Sequence, residues 1–132
     1  MKDVLSITKA LSDRNRLRLV LALMEHGELC ACQLTELLQV SGATASRHLA
    51  LLTNAGLLDS RKSGRWVYFK LKPDSSNESI FKWLADSLQD SPDKLADSKA
   101  MAEITAYNQE DICRKQRGVA CCVEKSSSPK KD

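Results

Sequence analysis

The chain has 132 residues, 42% of them hydrophobic, which fits one domain with a core of its own but not two independent ones. It contains neither the roughly 18 consecutive apolar residues of a membrane span nor a signal peptide, so we expect a soluble, cytoplasmic protein. The net charge of +3 is uneven: residues 41–72 hold six basic groups and one acidic group, whereas residues 73–112 hold three basic and nine acidic groups. Such a map is typical of a surface that meets a polyanion, or of solvated charges that cluster by chance.

The first half of the chain shows apolar residues at helical spacing. Helices are predicted over residues 4–11, 14–25, 32–39 and 43–54. Ser12 or Asp13 can cap the second helix, and Gly27 can end it because glycine adopts a left-handed backbone without steric penalty. Val40-Ser41-Gly42 forms a tight break between the third and fourth helices. Two short helices joined by such a turn predict a helix-turn-helix, whose second helix fits the major groove of DNA.

The apolar period changes to two after Leu57, where Val67, Phe69 and Leu71 alternate with their neighbours. A two-stranded wing is predicted over 57–71, with its turn at residues 62–64. Helices follow over 78–88 and, starting at Ser91-Pro92, to about residue 108. The predicted fold class is mainly α with a small β-hairpin wing, a winged helix-turn-helix that forms a homodimer through its first and last helices. The predicted divisions are 1–90 for DNA binding and dimerisation, 91–112 for an extra C-terminal helix, and 113–132 for a flexible, basic, cysteine-containing tail.

The fourth helix and the wing carry the candidate DNA contacts. Small and hydroxylated residues open the helix, so it can approach the groove closely, while arginine and histidine side chains can reach bases or phosphates. Basic residues at the wing tip can straddle a phosphate backbone, although a charged hairpin tip is often simply solvated. The predicted DNA-binding residues are Ser41, Ala43, Thr44, Ser46, Arg47, His48, Arg61, Lys62 and Arg65.

The five cysteines are odd in number, and the expected compartment is reducing, which favours free thiols or metal ligation over a disulfide framework. The candidate ligands are Cys30, Cys32, Cys113, Cys121 and Cys122. Thiolates select soft ions, but cysteine is also a common buried hydrophobe. Because Cys30 and Cys32 diverge by about 200° on a regular helix, both can bind one ion only if the first helical turn opens. Binding of an ion would then be coupled to the third helix, which holds the fourth helix (residues 43–54, the reading helix) in place.

The chain resembles the arsenic-repressor (ArsR/SmtB) family of winged-helix metalloregulators over about residues 5–90. The resemblance rests on Leu29-Cys30-Ala31-Cys32-Gln33-Leu34, the segment 46–52 (Ser-Arg-His-Leu-Ala-Leu-Leu), Gly56-Leu57-Leu58 and the segment 61–68. It implies a homodimeric, arsenite-responsive repressor that leaves its operator when Cys30 and Cys32 bind the inducing ion. The arsenite-type pattern has a third cysteine where this chain has Thr35, so a tail cysteine, from the same subunit or its partner, must complete a three-thiolate site. Alternatively, the three tail cysteines form a site of their own.

The expected function is therefore a repressor released from operator DNA by As(III) or Sb(III), with Cd(II) or Pb(II) as alternative inducers. Zinc and nickel are disfavoured, because the only histidines are His26 and His48 and the zinc-sensing pattern of the family's last helix is missing. A thiol redox or persulfide sensor on the same scaffold is the rival interpretation. An enzyme is not expected, since no base-and-orienter arrangement accompanies any cysteine.

Overall fold

The computed structural model describes residues 2–116, without the side chains of residues 2 and 113–115. The helices in that range are α1 (Lys2–Leu11), α2 (Arg14–His26), α3 (Ala31–Leu38), α4 (Gly42–Asn54), α5 (Ser75–Leu88), α6 (Pro92–Ala106) and α7 (Gln109–Gln116). The strands are β1 (Glu28–Cys30), β2 (Leu58–Ser63) and β3 (Trp66–Leu71), which form one antiparallel sheet in the order β1-β3-β2. This architecture confirms the predicted winged helix-turn-helix, whereas its dimerisation stays a prediction.

Helix α2 begins and ends where the sequence predicts. The Asp13 side chain accepts a hydrogen bond from the amide of Arg16 at 3.1 Å, which satisfies a donor that the helix itself leaves free. Gly27 ends the helix with a φ of 82°, and its amide donates to the carbonyl of Leu23 at 2.9 Å. Local capping chemistry therefore sets both ends of this helix.

The hydrophobic core lies where α2, α3 and α4 meet the base of the wing. Its largest fully buried side chains include Leu19, Leu23, Leu34, Leu52, Leu57 and Leu58. Burying one leucine side chain contributes roughly 1.5–3 kcal/mol, so this cluster fixes α4 firmly against the rest of the domain. Within residues 2–116, none of the helices combines the length and the apolar character that crossing a bilayer requires.

Strand β1 is an element that the sequence did not predict. It pairs with β3, with Glu28 opposite Lys70 and Cys30 opposite Tyr68. Three residues are too few to show an alternating pattern, and the partner strand lies far along the chain. Helix α3 consequently starts at Ala31, directly after the strand, instead of at Cys32.

The helix predicted from Ser91 to about residue 108 is α6, and it is followed by a further helix that the sequence did not predict. Helix α6 stops at Ala106, and Tyr107 is extended. The Asn108 side chain then accepts a hydrogen bond from the amide of Glu110 at 2.8 Å and starts helix α7. Helix α7 continues to Gln116, so the first residues of the segment predicted to be a flexible tail are helical.

Candidate nucleic-acid interface and thiol site

Helix α4 buries one face and exposes the other. Ala45, Leu49 and Leu52 are buried in the domain. Of the residues predicted to contact DNA here, Ser41, Ala43, Ser46 and Arg47 are exposed and Thr44 is half-buried. The Ser41 hydroxyl accepts a hydrogen bond from the amide of Thr44 at 3.1 Å and so caps the helix. Arg47 forms no ion pair with any residue between 2 and 116, which leaves its guanidinium free for an external anion.

His48 does not lie on that open face. Its side chain is 13% exposed, and its Nδ1 atom lies 3.1 Å from a guanidinium nitrogen of Arg16. Arginine can only donate, so Nδ1 accepts and the imidazole proton is on Nε2. Arg16 also donates to the carbonyl of Ala10 at 2.6 Å. The pair thus connects the end of α1 to α4 through α2, a positioning role that the sequence motif did not reveal.

The wing residue Arg61 already has an acidic partner. Its guanidinium donates two hydrogen bonds of 2.8 Å to the carboxylate of Glu28 on β1, and it lies 4.6 Å from the centre of the Tyr68 ring. The hydrogen bond from Arg61 holds the pKa of Glu28 below its usual range. Lys62, at the tip, is exposed and makes no ion pair with any residue of the described range.

Arg65 also has an acidic partner, on helix α7. Its guanidinium forms an ion pair with Glu110 and lies 5.1 Å from the centre of the Trp66 ring. The acids facing Arg61 and Arg65 are 33 and 45 residues away in sequence, so no local signal could have identified them. Of the three wing cations predicted to contact DNA, Lys62 is the one without an acidic partner within residues 2–116.

Cys30 is fully buried and serves as the N-cap of α3. Its backbone amide donates to the Gln33 side chain at 2.9 Å, and its sulfur accepts in return from the Gln33 amide. Burial raises the pKa of the Cys30 thiol, although the amides of Cys32, Gln33 and Val67 act in the opposite direction. In this conformation Cys30 is a neutral structural thiol.

Cys32 is buried in the first turn of α3 and takes part in a disulfide, while Cys30 is a free thiol. The disulfide departs from the expectation of free thiols. The carbonyl of Cys32 accepts a hydrogen bond from the Gln116 side chain of α7 at 2.9 Å. Cys113 belongs to this same helix, between Ile112 and Gln116, but its side chain lies outside the described part of the structure.

The described residues do not assemble a complete ion site. No three histidine, cysteine or carboxylate side chains among them converge on one point. Thr35 cannot replace the missing thiol, because it is buried and its hydroxyl donates to the carbonyl of Ala31 at 2.8 Å. Cys121 and Cys122 lie outside residues 2–116, so their predicted role is not tested.

Helices α1 and α5 together expose an apolar surface. Val4 and Leu5 are 59% and 58% exposed, and Trp83 is 65% exposed. Between the two helices runs a groove lined almost entirely by apolar atoms, with Ile7 and Ile80 on its two sides. Exposed apolar surface of this kind is typical of a site that meets another protein, a membrane or a ligand.

Comparison with known proteins identifies the family. Residues 13–60 match the model of the bacterial regulatory protein, arsR family. The arsenic resistance transcriptional regulator ArsR1 of Pseudomonas putida is 39% identical over 72% of this chain and 80% of its own length. The arsenical resistance operon repressor of Escherichia coli is 49% identical, over 52% of this chain and 59% of its own. The cadmium resistance transcriptional regulatory protein CadC homolog of Staphylococcus aureus is 40% identical, over 61% of this chain and 66% of its own.

The fold has solved counterparts as well. HlyU from Vibrio cholerae superposes with a TM-score of 0.59 over 64% of this chain and 90% of its own, at 26% identity. The matching proteins are regulators and not enzymes, which agrees with the winged helix-turn-helix fold. The chain therefore belongs to the arsR family of bacterial regulatory proteins and is a transcriptional repressor.

Proposed function

We propose that this repressor holds operator DNA as a homodimer and releases it when its cysteine thiolates bind As(III) or Sb(III). The observation that carries the proposal is the position of Cys32. It lies in the first turn of α3, the helix directly before the reading helix, and its carbonyl is bound by α7, the helix that contains Cys113. An ion held there acts on the element that positions α4.

On the DNA side, α4 enters the major groove with its exposed face. The small side chain of Ala43 allows close approach, and Ser41, Thr44 and Ser46 offer hydroxyls to phosphates or bases. Arg47 supplies the charge. His48 supports this helix through Arg16 and reaches DNA only with its remaining nitrogen. Lys62 contacts the flanking backbone directly, whereas Arg61 and Arg65 must exchange their carboxylates for phosphates.

The dimer forms through α1 and α5. Val4, Leu5 and Trp83 are large, apolar and exposed in the single chain, so pairing two copies across the groove between these helices removes that surface from water. A two-fold dimer places two reading helices one DNA turn apart. The sequence predicts an interface through the first and last helices; the present proposal keeps the first helix and takes α5 as its counterpart.

On the thiol side, Cys32 provides one donor after reduction, and Cys30 provides another once the first turn of α3 opens. Cys113, Cys121 or Cys122 supplies the third. Each thiol that binds trihydroxyarsenic replaces one hydroxide, and its proton leaves in the water formed. Soft thiolates also accept Cd(II) and Pb(II), and both arsenic and cadmium resistance regulators occur among the relatives.

The test uses a fluorescent duplex selected from a random library on the reduced, ion-free protein. Arsenite, antimonite, Cd(II) and Zn(II) are titrated at fixed salt, and anisotropy reports release. We expect arsenite and antimonite to lower affinity at least tenfold and Zn(II) to have little effect. Cys32→Ser should bind DNA normally and resist release. Unchanged affinity with every thiophilic ion would overturn the proposal.

Two further variants separate ligand roles from structural roles. Cys30→Ser keeps an N-cap acceptor at the start of α3 but removes a soft donor, so lost release in this variant identifies Cys30 as a ligand. Cys113→Ser tests the third donor. If Thr35→Cys restores release to the Cys113→Ser chain, Cys113 acts as the third thiolate and not through the packing of α7.

A second candidate function is favoured by the disulfide at Cys32. In a redox or persulfide sensor, an oxidant takes two electrons and two protons from two thiols, which then form a disulfide. Formation of this disulfide would release the operator. Diamide would then lower operator affinity, dithiothreitol would restore it, and arsenite would have no effect. Release by arsenite under reducing conditions excludes this alternative as the sole mechanism.

A further inference from the structure

Helix α7 connects the thiol region to the wing. At its C-terminal end, the Gln116 amide donates to the carbonyl of Cys32 at 2.9 Å and to the Glu36 carboxylate at 3.2 Å. At its N-terminal end, the Gln109 amide donates to the Tyr68 hydroxyl of β3 at 3.0 Å. Ile112, between these ends, is buried in the core cluster. The helix is therefore held on both α3 and the wing.

The ion pair between Glu110 and Arg65 lies on this helix. The Arg65 side chain is 26% exposed and packs over Trp66, and the Glu110 carboxylate, 47% exposed, faces it. Glu110 accepts a hydrogen bond from the Arg65 guanidinium, and a phosphate oxygen can accept the same bond in its place. Glu110 therefore brings one negative charge into contact with the wing.

We propose that α7 is an intramolecular competitor of DNA, with Glu110 acting as a phosphate mimic for Arg65. When Glu110 is paired with Arg65, which we call the docked arrangement of α7, the wing has one phosphate contact fewer. When the chain binds DNA, this ion pair opens. The inference rests on the proposed function: an ion bound at Cys32 and on α7 stabilises the docked arrangement and therefore favours release. A ligand shifts the equilibrium in this way only because it binds the docked state more tightly.

The test measures operator affinity as a function of salt for the reduced, full-length chain and three variants. Glu110→Gln removes the competing charge, Arg65→Gln removes the contested cation, and the third variant combines them. Glu103→Gln, on the exposed surface of α6, is the matched control for a simple loss of negative charge. Circular dichroism confirms that each variant is folded.

Glu110→Gln should bind the duplex roughly three- to thirty-fold more tightly than Glu103→Gln, since each dimer has two wings. The slope of the logarithm of its binding constant against the logarithm of salt concentration should be steeper by up to about 1.8, because each recovered phosphate contact contributes about 0.9. In the Arg65→Gln background, Glu110→Gln should add nothing beyond the control. With arsenite, the Glu110→Gln chain should retain part of its DNA binding.

Equal affinities and slopes for Glu110→Gln and Glu103→Gln would overturn the competition model, even if arsenite releases the unmodified chain. Conversely, an unmodified chain that ignores arsenite, antimonite and Cd(II) refutes the proposed trigger. The ion-free comparison of these two variants still decides the role of Glu110. The two proposals therefore fail by different observations.

Discussion

Two arginines of α2 provide a matched test of how burial determines the strength of an ion pair. Arg14 and Arg18 each donate two hydrogen bonds to an aspartate of α6, Arg14 to Asp93 at 2.9 and 2.6 Å and Arg18 to Asp97 at 2.9 and 3.0 Å. The side chains of the first pair are 75% and 43% exposed, and those of the second are 21% and 15% exposed. Replacing either arginine by methionine keeps most of the aliphatic stem and removes the guanidinium.

The expected loss is large only for the buried pair. Arg18 also donates to Asn15 at 2.9 Å and to the carbonyl of Leu37 at 3.2 Å. Arg18→Met therefore leaves a partly buried carboxylate and a carbonyl without this donor, at a cost of about 3 kcal/mol in the free energy of unfolding. With a urea m-value of about 2 kcal/mol/M, the unfolding midpoint falls by roughly 1.5 M. Arg14→Met exposes no such group and should leave the midpoint within error.

Urea unfolding followed by circular dichroism measures the unfolding midpoint of both variants. All samples have the same chain concentration, because association into dimers would otherwise shift the midpoint. Combining Arg18→Met with Asp97→Asn should recover part of the loss, since no buried charge then remains unpaired. Equal midpoint shifts for the Arg14 and Arg18 variants would show that burial does not set the strength of these pairs.

Three further predictions concern the cap of α4, the core beneath it and the cap of α5. Ser41→Ala should lower the free energy of unfolding by about 1 kcal/mol, because α4 loses its N-cap. Ser41→Asp should keep that stability but lose operator affinity, because its carboxylate repels phosphates. Thermal melting and anisotropy on the same samples separate the two effects. Leu52 is buried in the core, so Leu52→Ala should lower the free energy of unfolding in urea by about 3 kcal/mol. Leu51 is 42% exposed, so Leu51→Ala should lower it far less. Similar losses for the two variants would contradict the placement of α4. Hydrogen bonds from the amide and hydroxyl of Ser76 hold the pKa of Asp74 below its usual range. This cap of α5 therefore stabilises above about pH 4 and weakens as pH falls; Asp74→Asn should reduce the fall in melting temperature between pH 5 and pH 3.

The fold was predictable where its determinants are local. Asp13, Gly27 and Ser41 are capping residues whose chemistry acts within four residues, so the bounds of α2 and α4 follow from the sequence. Strand β1 was missed because it is three residues long and exists only through pairing with β3. The start of α7 was missed because Asn108 interrupts a stretch of otherwise helical character.

The candidate site was predictable in its residue types but not in their partners. Helical spacing places Arg47 on the exposed face of α4, as expected. The same spacing cannot show that His48 faces Arg16, or that Arg65 faces Glu110, because these contacts join distant segments. Likewise, the Cys-x-Cys motif identifies candidate ligands, but only the packed structure shows Cys30 as a buried helix cap.

Strand β1 also determines which parts of the chain can open separately. Its pairing with β3 ties the two ends of the segment that contains α3, α4 and β2, so the reading helix lies inside a closed loop of chain. Opening that loop requires breaking the strand pair and the leucine core together, and we expect the amide protons of α3, α4 and β3 to exchange with solvent through one shared, high-energy opening. Helix α1 lies outside the loop and should exchange by local fraying in the monomer. The segment from β1 to β3 thus opens as one cooperative unit. Helix α1, which is proposed to pair two chains, can move without opening that unit.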